Sequence, residues 1–199
     1  MKFSVIFHDF TQSSVEMIFN TYGMPESSVE IGAFEGYTAF NLTSWCTRSN
    51  PNYKHYVIDP YGNSDDLQLS VVTDAHQQFV ENLNEFEYRN NMEFINDTSW
   101  NGLMELHRRN IKVDFIYVDG DHREETVLED LVLGFQLLKT NGVMLCDDCV
   151  AWKHQDDRGY PALQRSPKLA VDNFIQCNWS RLEMVQLSNG YQQAFRKTC

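Results

Sequence analysis

Three aspartates and one histidine stand where two predicted strands end. Asp119 closes one apolar run and His122 follows three residues later, while the pair Asp147 and Asp148 closes the next apolar run. In open α/β sheets, ligands bind beyond the carboxyl ends of the strands, and parallel strands end at the same edge. We therefore expect these four side chains to share one cleft.

The three carboxylates, here called the acidic cluster (Asp119, Asp147 and Asp148), would repel one another in a cleft unless a cation neutralised them. Mg²⁺ or another hard divalent cation takes carboxylate oxygens as ligands. Histidine accepts a proton near neutral pH, so His122 is a candidate general base for a hydroxyl group. The alternative is structural: the aspartates cap loops, and His122 is a solvated residue at the start of a helix.

A glycine-containing stretch precedes the acidic cluster at residues 27–36, with the spacing Glu30-x-Gly32-x-x-x-Gly36. Glycine lets the backbone approach a ligand closely, and the first N–H groups of the helix that follows face the same ligand. Phe34 stands where the dinucleotide fingerprint has its second glycine, which admits a pyrophosphate. The carboxylate of Glu30 suits a ligand with an ammonium group instead. This stretch, here called the glycine turn, is predicted to hold a cofactor.

Polar residues also end the second and third predicted strands. Asp59 and Pro60 follow the second strand, where a carboxylate can accept hydrogen bonds from ribose hydroxyls. Asp97 and Thr98 follow the third strand. Turn formation is the alternative for the first pair, and capping of the next helix is the alternative for the second.

Strands and helices alternate along most of the chain, which is typical of a parallel sheet with right-handed crossovers. Helices are predicted at residues 11–22, from residue 37, and at 69–88, 100–109, 123–139 and 169–177. Strands are predicted around residues 29–31 and at 53–58, 92–95, 113–119, 143–146, 181–187 and 191–196. Asn141-Gly142 predicts a left-handed helix end, and Asn189-Gly190 predicts a tight hairpin between the last two strands. The fold class is α/β: a Rossmann-like, doubly wound, mainly parallel seven-stranded sheet with a C-terminal antiparallel hairpin.

Length and composition restrict the function further. The 199 residues fit one domain, and the formal net charge of −12 makes a nucleic-acid partner unlikely. The five cysteines lack the spacing of a disulfide framework. Since neither an export signal nor a membrane-spanning run is recognisable, we expect a cytoplasmic protein that does not bind a membrane. The sequence does not decide whether the protein forms a homo-oligomer.

The glycine turn, the Asp119-Gly-Asp-His122 segment and the Gly142-Val-Met-Leu-Cys-Asp147-Asp148 segment together resemble class I S-adenosylmethionine-dependent methyltransferases. The resemblance is to the metal-dependent O-methyltransferase subgroup that includes macrocin-type sugar O-methyltransferases. It implies Mg²⁺, or another divalent cation, bound by the acidic cluster, with His122 as the general base. It also implies S-adenosylmethionine as cofactor, bound by Glu30, Gly32, Ala33, Phe34, Gly36, Thr38, Asp59, Pro60, Asp97, Thr98 and Asp119.

The resemblance implies O-methylation of a hydroxyl on a small molecule or sugar. Catechol-type relatives have lysine at the position of His122 and asparagine at that of Asp148, so their acceptor does not transfer. Residues 1–25 are predicted as a helical cover, and residues 150–168 as an acceptor-side loop. The alternative function is a non-catalytic binding or assembly protein that keeps the fold. A nicotinamide-dependent oxidoreductase is disfavoured by Phe34 and by the lack of a Tyr-x-x-x-Lys motif.

Overall fold

A computed structural model of the chain describes residues 1–4, 9–61, 69–149 and 167–199. The helices are α1 (Asp9–Tyr22), α2 (Tyr37–Ser49), α3 (Leu69–Glu85), α4 (Ser99–Arg108), α5 (Glu124–Leu137) and α6 (Pro167–Asn178). The strands are β1 (Ser27–Ile31), β2 (Lys54–Ile58), β3 (Met92–Ile95), β4 (Val113–Val118), β5 (Leu138–Cys146), β6 (Leu182–Val185) and β7 (Gln193–Lys197).

The seven strands form one sheet in the order β3-β2-β1-β4-β5-β7-β6. The first five strands in this order are parallel, and β7 lies antiparallel between β5 and β6. The strand order reverses between β1 and β4, so the ligand crevice of a doubly wound sheet is expected at the carboxyl ends of these two strands. This arrangement confirms the predicted fold class.

Helices cover both faces of the sheet. One face packs against α1, α2 and α3, where Ile18, Phe40 and Phe79 are buried. The other face packs against α4, α5 and α6, where Leu106 and Leu131 are buried. No membrane-spanning helix is found among the described residues. Because the strands are enclosed on both sides, their apolar side chains form the core and their carboxyl ends are left for ligands.

The prediction that the helix at 123–139 ends in a left-handed cap is wrong. α5 gives way directly to β5 at Leu138, although Asn141 does adopt the left-handed backbone, with φ 69°. The pairing of β4 with β5 shifts register between Val113 and Phe115, so Asn141 lies in an irregular part of the strand pair. The asparagine therefore shapes a distorted strand, because left-handed residues also occur where strand pairing is irregular.

The hairpin is confirmed, but its connection is longer than predicted. Residues 186–192 join β6 to β7. The side-chain carbonyl of Asn189 accepts hydrogen bonds from the backbone amides of Tyr191 and Gln192, at 3.2 and 3.0 Å. Gly190 is not among the described glycines with positive φ, so the tight hairpin turn is not formed. Asparagine instead closes a wider connection through its side chain.

Several other predicted boundaries differ from the structure, including the start of β5, which lies at Leu138 where residue 143 was predicted. The predicted loop at 150–168 lies outside the described residues up to residue 166, and its last two residues, Pro167 and Lys168, belong to α6. Proline is favoured in the first turn of a helix, where its missing N–H is not needed. The helix predicted at 69–88 ends three residues earlier, at Glu85.

Candidate active site

The carboxyl ends of β4 and β5 bring the predicted polar residues together. β4 and β5 are parallel neighbours, with Val118 opposite Cys146, so Asp119 and the pair Asp147-Asp148 leave the sheet side by side. One ligand atom each from Asp119, His122 and Asp148 lies within 4.8 Å of the other two. The structure therefore brings three of the four predicted residues within metal-ligand distance of one another, and Asp147 is not one of these three.

His122 pairs with Asp148 within this cluster. The Nε2 atom of His122 lies 2.9 Å from Oδ2 of Asp148, and the imidazole is 42% exposed while the aspartate is 13% exposed. Asp148 has a left-handed backbone, with φ 52°. Such conformations are costly for non-glycine residues and tend to occur at functional sites. An accessible imidazole held by a more buried carboxylate is suited to accept a proton from a bound hydroxyl.

Asp147 stands beside this trio and is held by side chains that the sequence analysis missed. The hydroxyl of Tyr117 donates to Oδ2 of Asp119 at 2.9 Å and also contacts Oδ2 of Asp147. The amide of Gln192 donates to the same oxygen of Asp147 at 3.1 Å. A hydroxyl inside the apolar run of β4 was the available signal for Tyr117, because buried hydroxyls need partners.

Burial and mutual repulsion oppose full ionisation of the three carboxylates in the acidic cluster. Burial, followed by the charges of Asp147 and Asp148, raises the pKa of Asp119 well above its usual range. Burial also raises the pKa of Asp147, against the hydrogen bond from Tyr117. Burial acts to raise the pKa of Asp148 too, but hydrogen bonds from His122 and Tyr191 outweigh it and lower the pKa. A divalent cation would favour the charged form of all three groups.

The glycine turn lies directly against the acidic cluster. Gly32 follows β1 with a φ of 84°, and its amide donates to the carbonyl oxygen of Ile58 at 2.9 Å. A Cβ atom on Gly32 would come within 2.6 Å of the carbonyl carbon of Asp119 and within 2.7 Å of the Cα of Gly120. Only glycine permits this close approach of the two backbones. A ligand in the glycine turn would therefore adjoin the acidic cluster.

Gly36 begins α2 and is also constrained. It is the N-cap residue with φ 86°, and a Cβ atom there would lie 2.8 Å from the Phe79 ring. Since glycine has no side chain, the cap makes no side-chain hydrogen bond to the first turn of α2. That turn contains Thr38, which is partly buried. The cap residue therefore leaves the first amides of α2 without a side-chain partner of its own.

Glu30 is buried under the glycine turn instead of facing outward. Its side chain is 1% exposed, and Oε2 lies 3.2 Å from Nε2 of His55, which is buried too. Burial raises the pKa of Glu30, while hydrogen bonds with His55 and with the backbone of Ala39 oppose the rise. Nδ1 of His55 lies 2.5 Å from the Ser28 hydroxyl. The carboxylate therefore connects β1 to β2 and to the first turn of α2.

Asp59, which follows β2, binds the backbone of the glycine turn, a contact that the sequence analysis did not predict. Its Oδ2 accepts hydrogen bonds from the amides of Ala33, at 2.7 Å, and Phe34, at 3.0 Å. Oδ1 accepts a third hydrogen bond, from the amide of Tyr61 at 3.1 Å. Burial raises the pKa of Asp59, and these three backbone hydrogen bonds lower it. Pro60 follows at the same rim of the sheet and is partly buried.

Asp97 and Thr98 form the start of α4, which confirms the capping interpretation. Thr98 is the N-cap residue, and its side chain accepts a hydrogen bond from the amide of Asn101 at 3.3 Å. The side chain of Asn101 and the amide of Thr98 donate to Asp97 at 2.8 and 2.7 Å, and both lower its pKa. The pair lies at the carboxyl end of β3, so a role beside a cofactor remains compatible with capping.

A buried aspartate on α5 predicts how stability depends on pH. Asp130 is 1% exposed, and both of its carboxylate oxygens are buried. Burial raises its pKa to about 7, although the side chain of Ser99 opposes the rise. An aspartate in an unfolded chain has a pKa of about 3.9, so the unfolded state loses its proton first as pH rises. As the pH rises from about 4, Asp130 therefore reduces the free energy of unfolding by a growing amount, and the loss levels off once the pH exceeds about 7.

We expect Asp130→Asn to remove this pH dependence. Between pH 5.5 and pH 8.5 the free energy of unfolding of the variant should gain about 2 kcal/mol relative to the unaltered protein. Denaturant unfolding at several pH values measures this difference. Asp97→Asn is the matched control: the pKa of Asp97 is lowered, so its stabilisation is lost only in acid and the variant should show no gain over this range. An equal gain in both variants would contradict the assignment.

Comparison with known proteins agrees with this geometry. Residues 29–149, more than half of the chain, match the family described as methyltransferase domain. An uncharacterised protein of Acanthamoeba polyphaga mimivirus is 27% identical over 153 residues, which is 74% of this chain. The chain spans 60% of the length of that relative.

Solved structures of methyltransferases share the fold. PaMTH1 of Podospora anserina, with S-adenosylhomocysteine (SAH) bound, superimposes with a TM-score of 0.68 at 19% identity over 97% of this chain and 80% of that one. An O-methyltransferase from Bacillus cereus in complex with SAH gives a TM-score of 0.65 at 14% identity over 96% and 82%. TomG of Streptomyces achromogenes, an O-methyltransferase in complex with S-adenosylmethionine, gives 0.64 at 16% identity over 95% and 80%.

These identities establish likeness of fold, whereas the family match rests on the sequence itself. The matched residues begin in β1, before the glycine turn, and end just after the acidic cluster. The family match and the shared fold confirm the prediction of a methyltransferase domain with a Rossmann-like fold. The chain belongs to the methyltransferase-domain family.

Proposed function

We propose that the protein is an S-adenosylmethionine-dependent O-methyltransferase that acts on a hydroxyl of a small molecule or sugar. One observation carries this proposal: Asp119, His122 and Asp148 converge within 4.8 Å, and the backbone of Asp119 touches the glycine turn. A donor in the turn and a hydroxyl at the cluster would therefore be neighbours. Holding two reactants in this way supplies much of the rate enhancement in such a reaction.

The cofactor would lie along the glycine turn. The amides at the start of α2 would receive it, and Asp59 would accept hydrogen bonds from the ribose while it stays bound to the amides of the turn. Glu30 would contribute indirectly, because its carboxylate accepts a hydrogen bond from the backbone of Ala39 and so holds the first turn of α2 in place. The same proposal includes the other residues that the sequence predicts to bind the cofactor: Ala33, Phe34, Thr38, Pro60, Asp97, Thr98 and Asp119.

The acidic cluster fits a hard divalent cation such as Mg²⁺. Its donors are carboxylates, and the pKa of Asp119 is raised first by burial and then by the repulsion from Asp147 and Asp148 that a cation would offset. We propose Asp119, Asp147 and Asp148 as the residues that would hold the ion. Such an ion, when bound, orients a hydroxyl and lowers its pKa.

His122 would accept the proton of the acceptor hydroxyl. The acceptor oxygen then forms a bond to the methyl carbon as the bond from that carbon to sulfur breaks, which leaves SAH and the methyl ether. Asp148 would stabilise the imidazolium, since its Oδ2 lies 2.9 Å from Nε2. Its lowered pKa keeps it ionised for this task. The rest of catalysis is positioning and electrostatic stabilisation by this site.

The acceptor is proposed only as a class. A net charge of −12 disfavours polyanionic acceptors, and the cleft beside Asp119 and His122 is small. O-methyltransferases are among the structural relatives, and membership of the macrocin-type subgroup is part of this proposal. The alternative of a non-catalytic binding protein is not favoured, because the His122–Asp148 pair is intact. A cytoplasmic location belongs to the same proposal.

Ligand removal and addition test the proposed function. SAH at 100 times its Kd should raise the free energy of unfolding by about 2.7 kcal/mol, and NAD should not. EDTA should abolish methyl transfer to a hydroxylated acceptor, and Mg²⁺ should restore it, while SAH binding by calorimetry stays unchanged. Stabilisation by NAD would reject the cofactor assignment. Full activity in EDTA would reject the cation and leave the His122–Asp148 pair as the sole means of activating the hydroxyl.

A further inference from the structure

A polar network holds the carboxylate of Asp147, a residue that lines the cleft. Its members come from three distant parts of the chain: Thr11 of α1, Tyr117 of β4 and Gln192, which directly precedes β7. We propose that Tyr117 and Gln192 are positioning residues that fix the orientation of the Asp147 carboxylate for cation binding. This inference rests on the proposed function, because it assigns residues behind the same ion site.

Both carboxylate oxygens of Asp147 have partners. Oδ1 accepts a hydrogen bond from the backbone amide of Asp148 at 2.8 Å. Oδ2 accepts from Nε2 of Gln192 at 3.1 Å, from the Thr11 hydroxyl at 3.4 Å, and from the Tyr117 hydroxyl. A carboxylate with hydrogen bonds to both oxygens cannot rotate without breaking them, so its orientation is defined before a cation arrives.

Tyr117 links two members of the acidic cluster. Its side chain is buried, and its hydroxyl lies 2.9 Å from Oδ2 of Asp119 while also contacting Oδ2 of Asp147. A phenol has a single proton, so it donates to one carboxylate at a time. Its position between them nevertheless fixes the spacing of the two side chains, which come from neighbouring strands. Phenylalanine at this position would keep the packing and lose that link.

Gln192 is positioned by the connection between β6 and β7. It is 4% exposed, and its backbone amide donates to Asn189. Asn189 in turn donates to the hydroxyl of Ser14 on α1 at 2.9 Å. The preceding residue, Tyr191, contacts Asp148 through its hydroxyl. Tyr191 and Gln192 therefore contact Asp148 and Asp147, respectively. The Asn189-Gly190 sequence thus supports the site indirectly, because Asn189 binds the backbone amides of both residues.

Gln193, the first residue of β7, offers a matched control for Gln192. It is the next residue along the chain, and its side chain points to the other face of the sheet, where Nε2 lies 3.4 Å from Asp172 of α6. Consecutive residues of a strand face opposite sides, so the two glutamines differ in direction and not in chemistry. Gln193→Ala and Gln192→Ala remove the same side chain from adjacent positions. Tyr56→Phe on β2 serves in the same way for Tyr117→Phe.

The experiment measures cation binding separately from cofactor binding. Mn²⁺ affinity is read from the electron paramagnetic resonance signal of the free ion at saturating SAH, and SAH affinity is read by calorimetry. Hydrogen-bonding partners of metal ligands typically affect metal affinity about 10- to 100-fold, so we expect that loss in Gln192→Ala and Tyr117→Phe. SAH affinity should be unchanged in Gln192→Ala, and both affinities should be unchanged in Gln193→Ala and Tyr56→Phe.

Three outcomes would overturn the inference. Unchanged Mn²⁺ affinity in both Gln192→Ala and Tyr117→Phe would reject it and leave the proposed function standing. Parallel loss of SAH and Mn²⁺ binding in Gln192→Ala would show a general structural role instead of a positioning one. An unaltered protein that binds neither SAH nor Mn²⁺ would reject the proposed function itself, and this inference with it.

Discussion

His122→Gln should lower the rate of methyl transfer about 10²- to 10⁴-fold, the usual contribution of a positioned general base. Glutamine retains a hydrogen-bonding side chain of similar reach but has no group that accepts a proton near neutral pH. SAH affinity should stay unchanged, because His122 contacts Asp148 at the acceptor side of the cluster. Single-turnover kinetics at saturating S-adenosylmethionine, together with calorimetry for SAH, measures both quantities.

His107→Gln is the control for this substitution. His107 lies on α4, where its Nε2 is 3.0 Å from the carbonyl oxygen of Leu133, so its replacement removes a histidine outside the site. Methyl transfer by this variant should match that of the unaltered protein. Equal rates in His122→Gln and in the unaltered protein would remove His122 from the proposed mechanism, and proton transfer would then have to be assigned to another group.

Gly32→Ala should eliminate SAH binding and lower stability. The φ of 84° costs an L-residue about 1–2 kcal/mol, and overlap of the new Cβ with Asp119 and Gly120 adds the cost of overpacking, typically about 1–3 kcal/mol. The overlapping atoms belong to backbone, so relief requires β1 and β4 to move apart. That movement would displace both the glycine turn and the acidic cluster. Calorimetry with SAH and denaturant unfolding test the two effects.

Gly23→Ala separates the backbone cost from the overlap. Gly23 follows α1 with φ 95°, and a Cβ atom there would meet no atom within 4 Å. The free energy of unfolding of this variant should fall by about 1–2 kcal/mol, the cost of placing an L-residue at positive φ, and the variant should bind SAH normally. If Gly32→Ala behaved like Gly23→Ala in both measurements, the close approach of the turn to Asp119 would not matter for cofactor binding.

Much of the fold could be predicted because its local and tertiary preferences agree. The apolar runs that became β4 and β5 are enclosed by helices, and glycine occupies two of the three positions with positive φ in the turn after β1, the third being Phe34. Asn141 shows where prediction fails. Its left-handed preference was interpreted correctly, but whether it ends a helix or distorts a strand depends on pairing with β4, which is a tertiary contact.

Within the site, the residues at strand ends were predictable and their supporting partners were not. Asp119, His122 and Asp148 were found because topology alone places them together. Glu30 was expected to meet a ligand, whereas the structure pairs it with His55, a partner 25 residues away in sequence. Tyr117 and Gln192 support Asp147 from separate elements. Such contacts depend on side-chain direction and strand register, and sequence spacing does not specify them.

The contact of Asp59 with the amides of Ala33 and Phe34 has a consequence for selectivity among nucleotides. Unpaired amides at a strand–helix turn form a receptor for oxyanions, which is how many proteins capture ATP or inorganic phosphate. Here an intramolecular carboxylate already occupies that receptor. Triphosphates would have to expel a like-charged group, whereas a positively charged sulfonium compound would be attracted to it. The abundant nucleotides of a cell would thus be kept out without any steric barrier.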